Sequence, residues 1–262
     1  MDIGLEVVGW LMAVAFVAGT IDAIAGGGGL LTIPALLAAG LPPVPAIATN
    51  KLQSAFGTGG AVLAFARNGH IDWRRFGWPA LAAFAGSAGG AVLLTRIDPH
   101  FLAALIPVLL IAMAAYYGLA PKMTDADRHV RAGRALLLLV AAAIGCYDGF
   151  FGPGTGSFFT TALVAVFGLG LTRAVAHTKL LNFASNLAAL AVLIVSGEVL
   201  WKIGLPMAVA SAAGGQLGAQ ATLRWGAGAV RPLLIVMCLA LTARLLADPA
   251  NPLTVAVLAW IK

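Results

Sequence analysis

The chain has 262 residues, 61% of them hydrophobic and 10% charged, with a formal net charge of +6 and a mean hydropathy of +0.96. Soluble domains carry about 25% charged residues, so this composition excludes an ordinary soluble domain and points to a multi-span helical membrane protein. The Lys and Arg excess reads as cytoplasmic loop charge under the positive-inside rule, not as a nucleic-acid surface.

Spans are expected at residues 5–25, 46–66, 76–95, 101–119, 135–151, 174–196, 203–223 and 230–247. Each approaches the ~20 residues that a ~30 Å hydrocarbon core requires. The first lacks a positive leader and a small-residue cleavage site ahead of it, so it reads as a span and not as a removed signal. Two shorter apolar pieces, 29–40 and 155–170, are only about 12–16 residues, or roughly 18–24 Å as helix, and read as half-helices of broken or re-entrant elements. The expected fold class is all-α: a polytopic helical membrane protein of about eight spans.

A polar connection, 122–134, divides the chain into two repeats, 1–121 and 135–262, and is expected to lie in the cytoplasm. Asp22 and Asp148 are 126 residues apart, whereas Lys51 and Lys179 are 128 apart, as are Trp73 and Trp201, Gly86 and Gly214, Gly90 and Gly218, and Arg96 and Arg224. A two-residue insertion between the glycine cluster and the lysine explains the step. Short half-helices favour parallel four-span repeats, and the loop charges lean towards inverted ones. The sequence leaves that orientation open.

Each repeat carries a glycine-rich break, Gly26-Gly27-Gly28-Gly29 and Gly152-Pro153-Gly154-Thr155-Gly156. Gly costs about 1 kcal/mol and Pro about 3 in a helix interior, and unpaired backbone is tolerated at membrane depth only against protein or a polar cavity. A half-helix starting after such a break points free N–H groups and a positive dipole end at that cavity, which suits an anion. Matching broken helices in two repeats are a pointer to a transporter's binding site.

A lysine inside a span costs from about 2.5 kcal/mol upward unless it meets a partner or a cavity. Lys51 and Lys179 therefore read as partners of an anion or of Asp22 and Asp148. Those carboxylates read as caps for the exposed N–H groups, as lysine partners, or as the seat of a coupled proton. Gly28, Gly29, Asn50, Gly154, Thr155, Gly156 and Ser157 complete the candidate substrate site. Thr49, Gln53, Ser54, Thr178, Asn182, Ser185 and Asn186 add polar groups to the same helices, and Asn182 and Asn186 share a face with Lys179. His177 is a weaker coupling candidate, since a lone His is more often a packing residue. Cys146 and Cys238 form neither a disulfide framework nor a metal site, and no cofactor is implied.

The segments Gly19 to Pro34 with Ala48-Thr49-Asn50-Lys51-Leu52, and Tyr147 to Phe158 with His177-Thr178-Lys179, resemble the TauE/SafE or sulfite exporter family. The likeness runs over most of the chain and is nearest to the branch described only as probable membrane transporters. It implies a multi-pass inner-membrane transporter of small anions such as sulfite, sulfoacetate or thiosulfate. The expected function is alternating-access transport of such an anion. A passive anion channel is the alternative, and a membrane enzyme or a silent scaffold finds less support. The expected partners are the anion and the bilayer, with proton coupling and homo-oligomerisation left open.

Overall fold

The computed structural model describes residues 4–119 and 133–225. The expected span 230–247 and nearly all of the expected linker 122–134 lie outside the described residues. Among the described residues the chain is entirely helical: α1 (Leu5–Ala25), α2 (Gly29–Ala38), α3 (Pro43–Arg67), α4 (Trp73–Leu94), α5 (Pro99–Leu119), α6 (Arg134–Phe150), α7 (Thr155–Ala165), α8 (Leu171–Val195) and α9 (Trp201–Trp225).

Local chemistry sets these ends. Gly26 takes φ of 82°, a left-handed geometry that favours glycine, and its N–H donates to the Asp22 carbonyl as α1 stops. Gly154 takes the same φ of 82° just before α7. Pro43 opens α3 at a position where a missing N–H costs nothing. Asp72 caps α4 by accepting the Arg75 N–H at 3.0 Å. The two pieces after the breaks have 10 and 11 residues, so they are half-helices by length.

Three described helices, α1, α4 and α8, are long and apolar enough to cross a membrane. The long helices α3 and α9 carry more polar and small residues. The side chains are distributed as a bilayer would demand. Leu139 and Val209 are 67% and 68% exposed, whereas Lys51 and Lys179 are fully buried. Apolar groups face out and charges face in.

The helices interlock across the middle of the chain. α4 packs chiefly on α6 and α8, while α9 packs chiefly on α1 and α3. These contacts are backbone to backbone. A Cβ on Gly86 would overlap the Ala142 carbonyl, and one on Gly214 would overlap the Phe16 carbonyl. Gly90 lies on Cys146 and Gly218 on Thr20, and Gly145 lies on Ala83 and Gly19 on Ser211. Each pair of contacts recurs at the sequence offsets of 126 and 128. Small residues permit this approach where packing and polar contacts, not the hydrophobic effect, hold helices together.

Gly86→Ala is expected to lower thermal stability in detergent by several degrees, since overpacking costs about 1–3 kcal/mol. Gly89→Ala, on an open part of the same helix, serves as the control. Equal melting temperatures for the two variants would count against the backbone contact.

Candidate functional site between the two helix breaks

The two breaks meet. Gly26 packs on Gly156 so closely that a Cβ on either would collide with the other's backbone, and Gly29 lies beside Pro153. Ser157 Oγ donates to the Ala25 carbonyl at 2.6 Å, so α7 satisfies a group at the end of α1. Tyr147 Oη donates to the Pro153 carbonyl at 2.7 Å and Thr155 Oγ1 to the Gly152 carbonyl at 2.6 Å, which pins the second break.

The buried charges pair crosswise. Lys51 Nζ on α3 lies 2.8 Å from Asp148 Oδ1 on α6, and Lys179 Nζ on α8 lies 3.1 Å from Asp22 Oδ2 on α1. Lys179 also donates to the Asp22 carbonyl, a group at the negative end of the α1 dipole. Asp22 Oδ1 in turn accepts the Gly28 N–H at 3.1 Å, so one carboxylate links the lysine to the start of α2. Asp148 Oδ2 accepts the Ser185 hydroxyl. Gly152, with φ of 100°, leaves room for this arrangement. A Cβ there would lie 2.6 Å from Lys51 Nζ and 3.2 Å from Asp148 Oδ1.

A narrow cavity lies between the breaks, lined by Asp22, Gly26, Gly29, Asn50, Lys51, Ser54, Asp148, Gly152, Gly154, Gly156, Asn182 and Asn186. Its free volume of about 10 Å³ is roughly what one water needs. A four-atom oxyanion requires the walls to part.

Hydrogen bonding dictates what those walls offer. Asn50 Oδ1 accepts from the Thr32 hydroxyl, from Gln53 Nε2 at 3.1 Å and from Ser54 Oγ at 3.4 Å. With its oxygen taken three times, Asn50 turns its N–H₂ to the cavity. Gln53 leaves its own Oε1 buried without a partner among the described residues, the cost of holding Asn50 this way round. Asn186 Nδ2 donates to Asn182 Oδ1 at 3.1 Å, so Asn182 likewise presents N–H₂. The N–H groups of Gly29, Gly154 and Gly156 make no hydrogen bond among the described residues. The wall thus offers backbone and amide donors beside two carboxylates that the lysines neutralise.

Of the sequence candidates, Gly29, Asn50, Lys51, Gly154 and Gly156 line this cavity, with Asp22 and Asp148. Gly28, Thr155, Ser157 and Lys179 stand behind it and hold the breaks or Asp22. His177 lies elsewhere. Its Nε2 accepts the Asp72 N–H at 3.0 Å, its Nδ1 meets the Arg173 carbonyl at 2.7 Å, and its ring stacks on Phe76 with centroids 3.9 Å apart. That geometry requires a neutral ring with the proton on Nδ1. Thr49 performs the same task 128 residues earlier, its Oγ1 accepting the Leu200 N–H at 3.3 Å. Cys146 is exposed and not part of the wall. Ser54, Asn182 and Asn186 were legible as polar neighbours of the lysines but not as cavity wall. Their spacing of three and seven residues after Lys51 or Lys179 was the available signal.

A helical membrane protein with two backbone breaks facing one polar cavity has the layout of a membrane transporter. The sulfite exporter TauE/SafE family matches residues 11–245, and the chain belongs to that family. Curated relatives include the probable membrane transporter protein ORF9 of Sinorhizobium sp., 46% identical over 97% of this chain and 98% of its own length. The probable membrane transporter protein of Haemophilus influenzae is 43% identical over 95% of this chain and 98% of its own. The probable membrane transporter protein YfcA of Escherichia coli is 40% identical over 92% and 90%. No solved structure matches the chain. The family and the relatives' names together support a membrane transporter of the TauE/SafE type.

Breaking a buried pair from one side leaves an uncompensated charge and costs about 3–5 kcal/mol. Lys51→Met and Asp148→Asn are each expected to melt well below the parent in detergent, and K51M/D148N to regain most of the loss. Additive losses in the double variant would mean that the two side chains do not stabilise one another.

Proposed function

We propose that the chain is a multi-pass inner-membrane transporter of a small anion, a sulfur oxyanion or organosulfonate such as sulfite, sulfoacetate or thiosulfate. In this reading eight spans form two repeats, the second completed by the segment 230–247. The recurrence of glycine and end-of-helix contacts at the sequence offsets supports the duplication. The family's description as sulfite exporters supports the substrate class.

One observation carries the proposal: two half-helix starts and the buried Lys51 converge on a polar cavity between the breaks, with Lys179 behind Asp22. An oxyanion there would accept from the N–H groups of Gly29, Gly154 and Gly156 and from the amides of Asn50 and Asn182. Gly28, Thr155, Ser157 and Lys179 would hold that cradle in register. Lys51 would supply the nearest compensating charge, and Lys179 would act through Asp22.

Charge balance then restricts the mechanism. The cavity and its backing hold two lysines and two carboxylates, which sum to zero. An arriving monoanion makes the site net negative in a low-dielectric setting, where unbalanced charge is expensive. One proton on Asp148 or Asp22 restores neutrality for a monoanion such as bisulfite, and protons on both do so for a dianion such as thiosulfate or sulfoacetate; each proton releases a lysine to the anion. Proton-coupled anion transport follows from this count, and His177, whose ring nitrogens are both engaged elsewhere, takes no part. The small free volume favours alternating access over an open anion channel.

Full-length protein in proteoliposomes is expected to accumulate labelled sulfite or sulfoacetate when an inward proton gradient is imposed. Lys51→Met, Lys179→Met and Asn50→Asp should each cut initial uptake at least about tenfold, the effect of about 1.4 kcal/mol lost on the anion. Parental rates in both lysine variants would remove the lysines from the mechanism. Flux that only equilibrates the anion, whatever the proton gradient, would establish the channel instead.

A further inference from the structure

A second cavity, sharing no residue with the one between the helix breaks, lies where α4 and α6 begin. It has a volume of about 330 Å³ and is lined by Arg74, Arg75, Gly133, Arg134, Leu137 and Phe167. We infer that this cavity binds the phosphate of an anionic phospholipid headgroup.

Three arginines share this one opening, and among the described residues none pairs with a carboxylate. Asp72, just before α4, is turned to the Arg75 backbone N–H as a cap. Arg75 also leans on the Phe76 ring, its guanidinium carbon 5.7 Å from the centroid. Arg74 and Arg75 are the second and third residues of α4, and Arg134 is the first of α6. A cation at the start of a helix opposes the dipole, so three gathered there are mutually unfavourable until an anion joins them. Planar guanidinium forks match phosphate oxygens in pairs.

The fold does not demand these arginines. The corner where α9 meets α1 holds Lys202, Ile203 and Val8 at the positions corresponding to Arg74, Arg75 and Arg134. The same helix packing forms there with one cation instead of three. A structural role would have left its mark at both corners.

The surroundings select a lipid as the source of the phosphate. From Arg74, the positions one, two and three turns on are Trp78, Leu81 and Ala85, which lie on one face of α4. Trp78 is 59% and Leu81 55% exposed, and Ala85 is exposed with them. An acyl chain would run down this strip from a headgroup seated on the arginines, with Trp73 and Trp78 at the depth where indoles favour the interface. Leu137 and Phe167 give the cavity an apolar floor against the glycerol carbons. Arg67 at the end of α3, Arg74 and Arg75 at the start of α4 and Arg134 at the start of α6 make this end basic, so it meets the cytoplasmic leaflet under the positive-inside rule, where anionic lipids and interhelical basic pockets go together.

The test uses delipidated full-length protein in neutral detergent at low salt, with melting temperature as the readout. Phosphatidylglycerol or cardiolipin is expected to raise it by about 3 °C or more over phosphatidylcholine near tenfold saturation, and added NaCl should erode the difference. R74Q/R134Q should abolish the lipid-specific rise, and Lys202→Gln should retain it. Should R74Q/R134Q fail to fold, Arg134→Gln alone, at an exposed helix start, is expected to weaken the rise at least threefold in lipid concentration. An equal rise with phosphatidylcholine, or an undiminished one in the arginine variants, would overturn the assignment. So would a matching rise from inorganic phosphate, which would make this a free-phosphate site.

Discussion

Everything central in this molecule follows from breaking two helices inside a tightly packed apolar bundle. A broken helix exposes carbonyls at one end and N–H groups at the other, and hydrocarbon offers them no partner. The chain meets this need from the opposite half. Lys179 reaches the last turn of α1, Ser157 takes the Ala25 carbonyl, and Lys51 reaches Asp148 at the end of α6. Asp22 works locally, accepting the Gly28 N–H. Neither break is complete without side chains more than ninety residues away in sequence.

This reciprocity explains the interlocked packing. For Lys51 to stand by α6 and Lys179 by α1, the helices of the two halves must interleave, and α4 and α9 close the arrangement by packing across the divide. Backbone-to-backbone glycine contacts bring the helices near enough for short ion pairs. One added methyl at Gly86 or Gly149 would push against a carbonyl of the opposing helix. Small residues in the spans and charges in the middle are therefore parts of one device.

Much of this was legible in the sequence because each constraint is written twice, at near-constant offsets. The breaks, the half-helix lengths and the kinship of each Asp and Lys could be read from glycine clusters and constant offsets. Which Lys serves which Asp could not. Periodicity orders residues along a helix face but says nothing about the helix opposite, so pairing within and across halves looked alike. His177 was opaque for the same reason, since its acceptor role depends on an Asp72 N–H that lies 105 residues away. Its counterpart Thr49, a different residue type with the same task, was the clue available. Apolar length was also a blunt guide. α3 and α9 occupy expected spans, yet their polar and small residues keep them out of the set of plainly apolar helices.

The two halves share a scaffold but not a surface. Thr32 and Thr160 each reach the helix that carries the lysine, and there they meet Asn50 in one half and Thr178 in the other. Only the first of these contacts aims an amide at the cavity. Asn182 supplies the amide on the other side, from the position matching Ser54. Each half therefore presents one amide, but from different turns of the helix, only the first half presents its lysine, and only the second break is stiffened by Pro153 and the Tyr147 hydroxyl. A site of two identical halves would hold an anion on its pseudo-symmetry axis. Here the donors are staggered, so under the proposed function an anion that satisfied both amides would sit to one side of that axis and meet Lys51 before Lys179. The first lysine then faces the cavity directly, while the second acts from behind Asp22.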